Sequence, residues 1–283
     1  MRTSASKGSR IRPLLALPLL GLSAAAAPEV AAIQTHDNLF LVDCTVQDVA
    51  ERCQLDTGDN AVATLRPIPA FQALPVLKTM RAMGVAGVVA PSAVVHLDSL
   101  SAGGLALRDL DNVQRHDGPL PYSTLGLGFF ERLGVVTFDF RAMQLRHAAP
   151  VPERACVGTV STGNPMRIPI ALGGQAIEAG WDTGASATVA DARFVAAHPE
   201  LFVFVRDLAS GVDSTSTGVP ARLFKARDIT ICGHAFKEVM VAAVDMSAPK
   251  ARIADFPDVV VGANLMAGHV WAFDFASHSW SLD

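Results

Sequence analysis

Apolar residues along this chain gather in short runs, and few of them recur at helical spacing. Phe40 to Val46 and Arg52 to Asp56 read as two strands around Gln47-Asp48-Val49-Ala50-Glu51. Met166 to Asp182 reads as a second hairpin turning at Gly173-Gly174. Two further stretches, Asp98 to Asp109 and Asp228 to Glu238, each read as a strand, a glycine turn and a strand. Leu125-Gly126 and Val261-Gly262 each end a buried strand at glycine and lead into a short helix. Val135 to Phe140 and Val270 to Phe275 are final strands, and both carry Phe-Asp-Phe. The pattern predicts a mostly β protein.

These elements form two series in the same order. Each series contains Asp-Thr-Gly at the end of an apolar strand: Leu55-Asp56-Thr57-Gly58 and Trp181-Asp182-Thr183-Gly184. The internal repeat predicts two lobes. The boundary falls in the Pro-rich stretch from His147 to Glu153, which gives lobes over residues 28–149 and 150–283. A carboxylate on a tight turn, with glycine permitting close backbone approach, is a candidate for chemistry. Two such turns brought together set two carboxylates side by side, where like charges resist joint ionisation.

An apolar strand into Asp-Thr-Gly, a Gly-turn hairpin, an apolar-apolar-Gly strand with a short helix, and a Phe-Asp-Phe strand together resemble the aspartic proteases. The short spacing looks more like the retropepsin-like branch, and the two tandem copies resemble the pepsin-like bilobal arrangement. The likeness covers nearly all of residues 30–283, once per half. It implies closed, β-barrel-like lobes with a short helix each and an active cleft between them. It implies that Asp56 and Asp182 are the catalytic pair. Thr57 and Thr183 would brace the two turns, Gly58 and Gly184 would let backbone approach the carboxylates, and Gly126 and Gly262 would support the loops from behind. The implied activity is peptide hydrolysis by a water activated between two aspartates, with no covalent intermediate, no cofactor and no metal. The expected substrates are peptides or unfolded proteins, and the expected state is a monomer. Two other outcomes stand beside it: a peptide-binding protein on the same fold without turnover, and a protease with one competent lobe that must dimerise.

Some residues depart from the family's pattern. Asp59 stands where a small or hydroxyl side chain is usual. Turned toward the pair, its charge would raise the pair's pKa values; turned outward, it would be a solvated surface acid. Trp181 is bulky for the position before a catalytic Asp. The mobile hairpin over the cleft is not obvious, and Met83 to Ser92 and Ala209 to Val219 are the candidates. Tyr122, the sole Tyr, is placed too late to serve there.

Composition narrows the class. The 283 residues are 50% hydrophobic and 18% charged, enough for one large core or two small ones. Lys7, Arg10 and Arg12 precede the apolar run Leu14 to Leu22 and then Ala24 to Ala27, so residues 1–27 read as a signal peptide cut after Ala25 or Ala26. Export to the periplasm or medium follows. The run is too short to anchor the chain, and no stable membrane span is expected. Removing the four bases of this leader from a net charge of −4 leaves about −8, which disfavours nucleic acid and anionic membranes as partners.

Four cysteines are compatible with export. A turn centred on Asp48-Val49 would set Cys44 directly opposite Cys53, which suits either a bridge or two buried thiols. Cys156 and Cys232 could pair, but the sequence does not show it. Other motifs fail on context. Pro249 spoils the helix that Ser247-x-x-Lys250 needs, Gly126-x-Gly128 lacks its third glycine, and the eight His form no His-Glu-x-x-His.

Overall fold

The computed structural model describes residues 29–84, 87–147, 151, 156–163, 165–212 and 218–283. The expected signal peptide and most of the Pro-rich boundary lie outside the described residues.

In the first half the chain runs β1 (Val30–His36), β2 (Leu39–Val46), β3 (Val49–Asp56), β4 (Ala63–Leu65), α1 (Pro69–Gln72) and β5 (Val76–Met83). It continues through β6 (Val89–Ala102), β7 (Leu105–His116), β8 (Ser123–Gly126), α2 (Leu127–Leu133), β9 (Val135–Asp139) and β10 (Gln144–His147). The second half opens with β11 (Arg167–Leu172), β12 (Gln175–Trp181), β13 (Thr188–Asp191), α3 (Ala192–Ala197), β14 (Phe202–Val212) and β15 (Gly218–Ala226). It closes with β16 (Ile229–Ile231), β17 (His234–Phe236), β18 (Val239–Val244), α4 (Ser247–Lys250), β19 (Val259–Val261), α5 (Ala263–Met266), β20 (Val270–Asp274) and β21 (Ser279–Leu282). The protein is mostly β, as the run pattern predicts. Each half holds more than the one short helix expected of it: α1 joins α2 in the first, and α3 and α4 join α5 in the second. Pro69 at the head of α1 and Asp191 capping α3 through the Arg193 amide explain two of the extra turns.

The halves repeat one another in topology. Strand order β2-β3-β8-β4-β7-β6-β5 in the first half matches β11-β12-β19-β13-β18-β15-β14 in the second. In both, the strand carrying Asp-Thr-Gly lies parallel to the strand that ends at glycine: β3 on β8 with Asp56 opposite Gly126, and β12 on β19 with Trp181 opposite Val261. β2 also pairs with β6, and β11 with β16, which extends β15. The Gly173-Gly174 turn has φ of 57° and 82°, both left-handed, and closes β11 on β12 as read from the sequence.

The first hairpin corrects the predicted register. Cys53 lies opposite Val42 and Cys44 opposite Glu51, because the turn falls on Gln47-Asp48, with Gln47 at φ 54°. A shift of two residues keeps both cysteines on the buried face. They meet diagonally and form a disulfide, with Cα atoms 5.8 Å apart. Cys156 and Cys232 form a second one and leave no free cysteine.

The halves are joined beneath by a shared sheet. β20 from the second half pairs antiparallel with β9 from the first, Trp271 opposite Phe138. β10 and β1 extend this sheet on one side and β21 on the other. The amides of Cys156 and Val160 add a further edge by donating to Trp280 and His278 carbonyls. Trp181, fully buried, stands on this sheet against Phe138, Trp271 and Phe273. Its size suits the seam between the halves, which explains why a bulky residue precedes Asp182. No helix among the described residues is long and apolar enough to cross a membrane.

Candidate active site

Both Asp-Thr-Gly turns sit where apolar β3 and β12 end, against the glycine-terminated strands beside them. Gly126 and Gly262 have no room for a Cβ. One presses on the Asp59 carbonyl, 2.7 Å from where a Cβ would stand, and the other on the Ala185 carbonyl at 2.8 Å. Amides from the following helices complete the support. Leu127 N donates to Asp59 O at 2.6 Å, and Ala263 N donates to Ala185 O at 2.9 Å. Each turn is therefore clamped by the strand and helix that the sequence repeat predicts behind it.

The two turns lock together across the halves. Thr57 N donates to Thr183 Oγ1 at 3.0 Å, and Thr183 N donates to Thr57 Oγ1 at 3.1 Å. Thr57 Oγ1 in turn donates to Trp181 O at 2.9 Å. Both threonines are fully buried. Buried backbone amides are expensive to leave unpaired, so this crossed pair fixes the spacing of the turns. Gln54 adds a cross-half bond, its Nε2 donating to Gly184 O at 3.2 Å.

This lock brings Asp56 and Asp182 into hydrogen-bond contact with each other, both half-buried. Gly58 N donates across the halves to Asp182 Oδ1 at 3.1 Å, and Gly184 N donates to the same oxygen at 2.8 Å. A Cβ on Gly58 would strike the Asp182 carboxylate, and one on Gly184 would strike that of Asp56. Glycine is required here for close approach rather than for its backbone angles. The structure thus brings together all six residues singled out in the sequence: Asp56, Thr57, Gly58, Asp182, Thr183 and Gly184.

The carboxyls are electrostatically unequal. Burial, the Asp182 charge, the Asp59 charge and the hydrogen bond with Asp182 all push Asp56 well above the usual carboxyl range, against one lowering contact from the Gly58 amide. Burial also raises Asp182, but the amides of Gly184, Gly58 and Ala185 and the bond from Asp56 oppose it. Two such interacting acids titrate as a pair.

Asp59 follows neither expectation fully. Its side chain is half-buried and held: Oδ1 accepts from Ala61 N at 3.0 Å, and Oδ2 accepts from Thr64 Oγ1 at 2.5 Å and Thr124 Oγ1 at 3.0 Å. It is held in this cage, and its charge adds to those raising Asp56. In the second half the equivalent positions are apolar, Ala185 for Asp59, Val189 for Thr64 and Val260 for Thr124, and a neutral pair lies beside Gly262. Asn264 Oδ1 accepts from Thr188 N at 2.6 Å and Thr188 Oγ1 at 2.8 Å. Thr64, Thr124, Thr188 and Asn264 were not singled out by sequence reasoning. Their signal was available as polar residues in the apolar strands and, for Asn264, in the short helix next to the glycine positions.

The two candidate flap segments are the tips of the β5–β6 and β14–β15 hairpins. Residues 85–86 and 213–217 of them lie outside the described residues. Gly87 rests against Ala248 of α4, in the opposite half. Contrary to the sequence reading, Pro249 does not spoil the helix at Ser247-x-x-Lys250, which forms the short α4, and Lys250 Nζ is engaged there by Asp191 and Asp258. A cavity of about 870 Å³ lies apart from the aspartates, lined by Asp43, Glu51, Arg66 and Tyr122. Its Glu51 carboxylate is already satisfied by Arg66 and Ser123. No cluster of metal-ligating side chains occurs among the described residues. Comparison with protein-family models and with curated proteins found no match to this chain.

Proposed function

We propose that this chain is an aspartic-type endopeptidase: a retropepsin-like, bilobal hydrolase whose two closed lobes form the cleft and each supply one aspartate. The observation that carries the reading is the crossed Thr57–Thr183 bonding, which holds the two half-buried carboxyls in contact. The return of β2 onto β6, and of β11 onto β16, supports closed lobes. Two disulfides support an exported protein.

The asymmetry of the pair supports a division of labour. Asp182, accepting two backbone amides on one oxygen, is the ionised base. Asp56, surrounded by negative charge, holds the shared proton. Like charges at contact distance cannot both ionise readily, so the pair keeps one proton between its two carboxyls. Asp182 takes a proton from water as the water oxygen bonds to the scissile carbonyl carbon, and Asp56 gives its proton to the carbonyl oxygen. The tetrahedral diol then collapses. Asp182 returns its proton to the leaving nitrogen as the C–N bond breaks, and Asp56 recovers one from the diol. Both aspartates come from one chain, which supports a monomer acting on peptides or unfolded proteins.

The test is hydrolysis of unfolded casein at acid pH, with and without a statine-type inhibitor. Inhibitable cleavage with a rate linear in protein concentration is expected. Binding without cleavage would instead identify a peptide-binding protein, and a rate rising with the square of concentration would identify a dimerising one.

A further inference from the structure

The sequence repeat puts an acid behind one turn and none behind the other. Asp59 stands three residues after Asp56, and Ala185 stands three residues after Asp182. The Asp59 carboxylate is built in. Three donors hold it, from Ala61 N, Thr64 Oγ1 on β4 and Thr124 Oγ1 on β8. Its backbone is held as firmly: its amide donates to Asp56 O at 3.1 Å, and its carbonyl accepts from Leu127 N at the head of α2. All of the side chain's partners are neutral. Among the described residues no basic side chain pairs with it, and its charge adds to those raising Asp56. The other charge bearing on Asp56 is Asp182, from the end of β12.

We propose that Asp59 is a positioning residue that polarises the aspartate pair, strengthening the preference of the shared proton for Asp56 over Asp182. It acts through Asp56 and touches no reacting atom. The Gly58 and Gly184 amides already favour the ionised form of Asp182, and a bias on Asp56 adds to theirs. A fixed negative charge behind Asp56 makes its ionised form the less favourable. At the equivalent place behind Asp182 stands Ala185, so no such charge opposes ionisation on that side. The consequence for catalysis rests on the endopeptidase reading; the consequence for protonation does not.

The test uses the full-length exported protein, labelled with ¹³C at aspartate carboxyls, with the Asp56 signal assigned by its loss in Asp56→Asn. Asp59→Asn keeps the shape and the Ala61 contact while removing the charge. It is expected to move the Asp56 titration midpoint to lower pH, and to carry the basic limb of the kcat/KM profile with it. Thr64→Val removes a cage donor and keeps the charge, so it is expected to leave the midpoint of Asp56 no lower than in the wild type. An Asp56 midpoint unmoved by Asp59→Asn overturns the proposal. So does an equal downward shift in Thr64→Val, which would assign the effect to loosening of the turn. A midpoint that moves as expected in a protein that cleaves no peptide supports the role of Asp59 and overturns the endopeptidase reading instead.

Discussion

Behind Asp56 the loop closes on an acid, Asp59, held by Ala61, Thr64 and Thr124; behind Asp182 the same place is taken by Ala185, which carries no charge. The tripeptides are identical, and the strands around them follow one order. Their difference is therefore not one of fold. It shows that a duplicated backbone can hold two copies of a carboxyl in unlike fields, set by residues outside the tripeptides. The first half also supports the second half's aspartate, Gly58 donating to Asp182. The pair is one unit made from two unequal parts.

The strongest challenge to that unit is removal of either acid. Asp56→Asn and Asp182→Asn should each lower kcat/KM for a peptide substrate by about 10³-fold or more, with the double variant little worse than either single one. Near wild-type turnover in one single variant would break the pairing. Next in size is the threonine lock, read by urea denaturation. Thr57 Oγ1 makes two buried bonds, accepting from Thr183 N and donating to Trp181 O, whereas Thr183 Oγ1 accepts from Thr57 N. Thr57→Val and Thr183→Val should each destabilise by about 1–3 kcal/mol, Thr57→Val the more, because each leaves a buried amide unpaired. Equal costs would place the two threonines on the same footing.

The subtlest test is pH-dependent stability. Asp56 binds its proton more tightly folded than unfolded. Its contribution to stability is thus fully present below the ordinary aspartate range and is lost as pH rises through the elevated folded value. Asp56→Asn removes that loss. Its Tm relative to wild type should rise steadily from acid toward neutral pH, followed by calorimetry. A difference that stays flat across that interval would mean that Asp56 is not held protonated by the fold.

Much of this arrangement is legible in local sequence. Asp-Thr-Gly, the Gly173-Gly174 turn and the apolar strands ending at Gly126 and Gly262 are all short patterns whose meaning does not depend on distant residues. The register of the first hairpin is not. Its outcome turns on whether Gln47 accepts a left-handed backbone, a preference that a glutamine does not advertise. The environment of Asp59 needs Thr124, which is 65 residues away. The fit of Trp181 needs Phe138, Trp271 and Phe273. In each case pairing distant in the chain decides what the residue touches, and spacing alone carries no such information.

The shared sheet has a practical consequence for anyone watching this protein in solution. The sequence has three tryptophans, Trp181, Trp271 and Trp280, and all of them are fully buried at the seam between the halves. Trp271 and Trp280 stack nearly parallel with ring centroids 6.2 Å apart, and Trp181 leans on Trp271 at 5.7 Å. The sole tyrosine, Tyr122, lies elsewhere, beside His36. Intrinsic tryptophan emission is consequently a native optical gauge of one event, the opening of the seam to water. A red shift on heating or in denaturant would report the halves parting, while loosening confined to the outer hairpins would leave the spectrum dark to it.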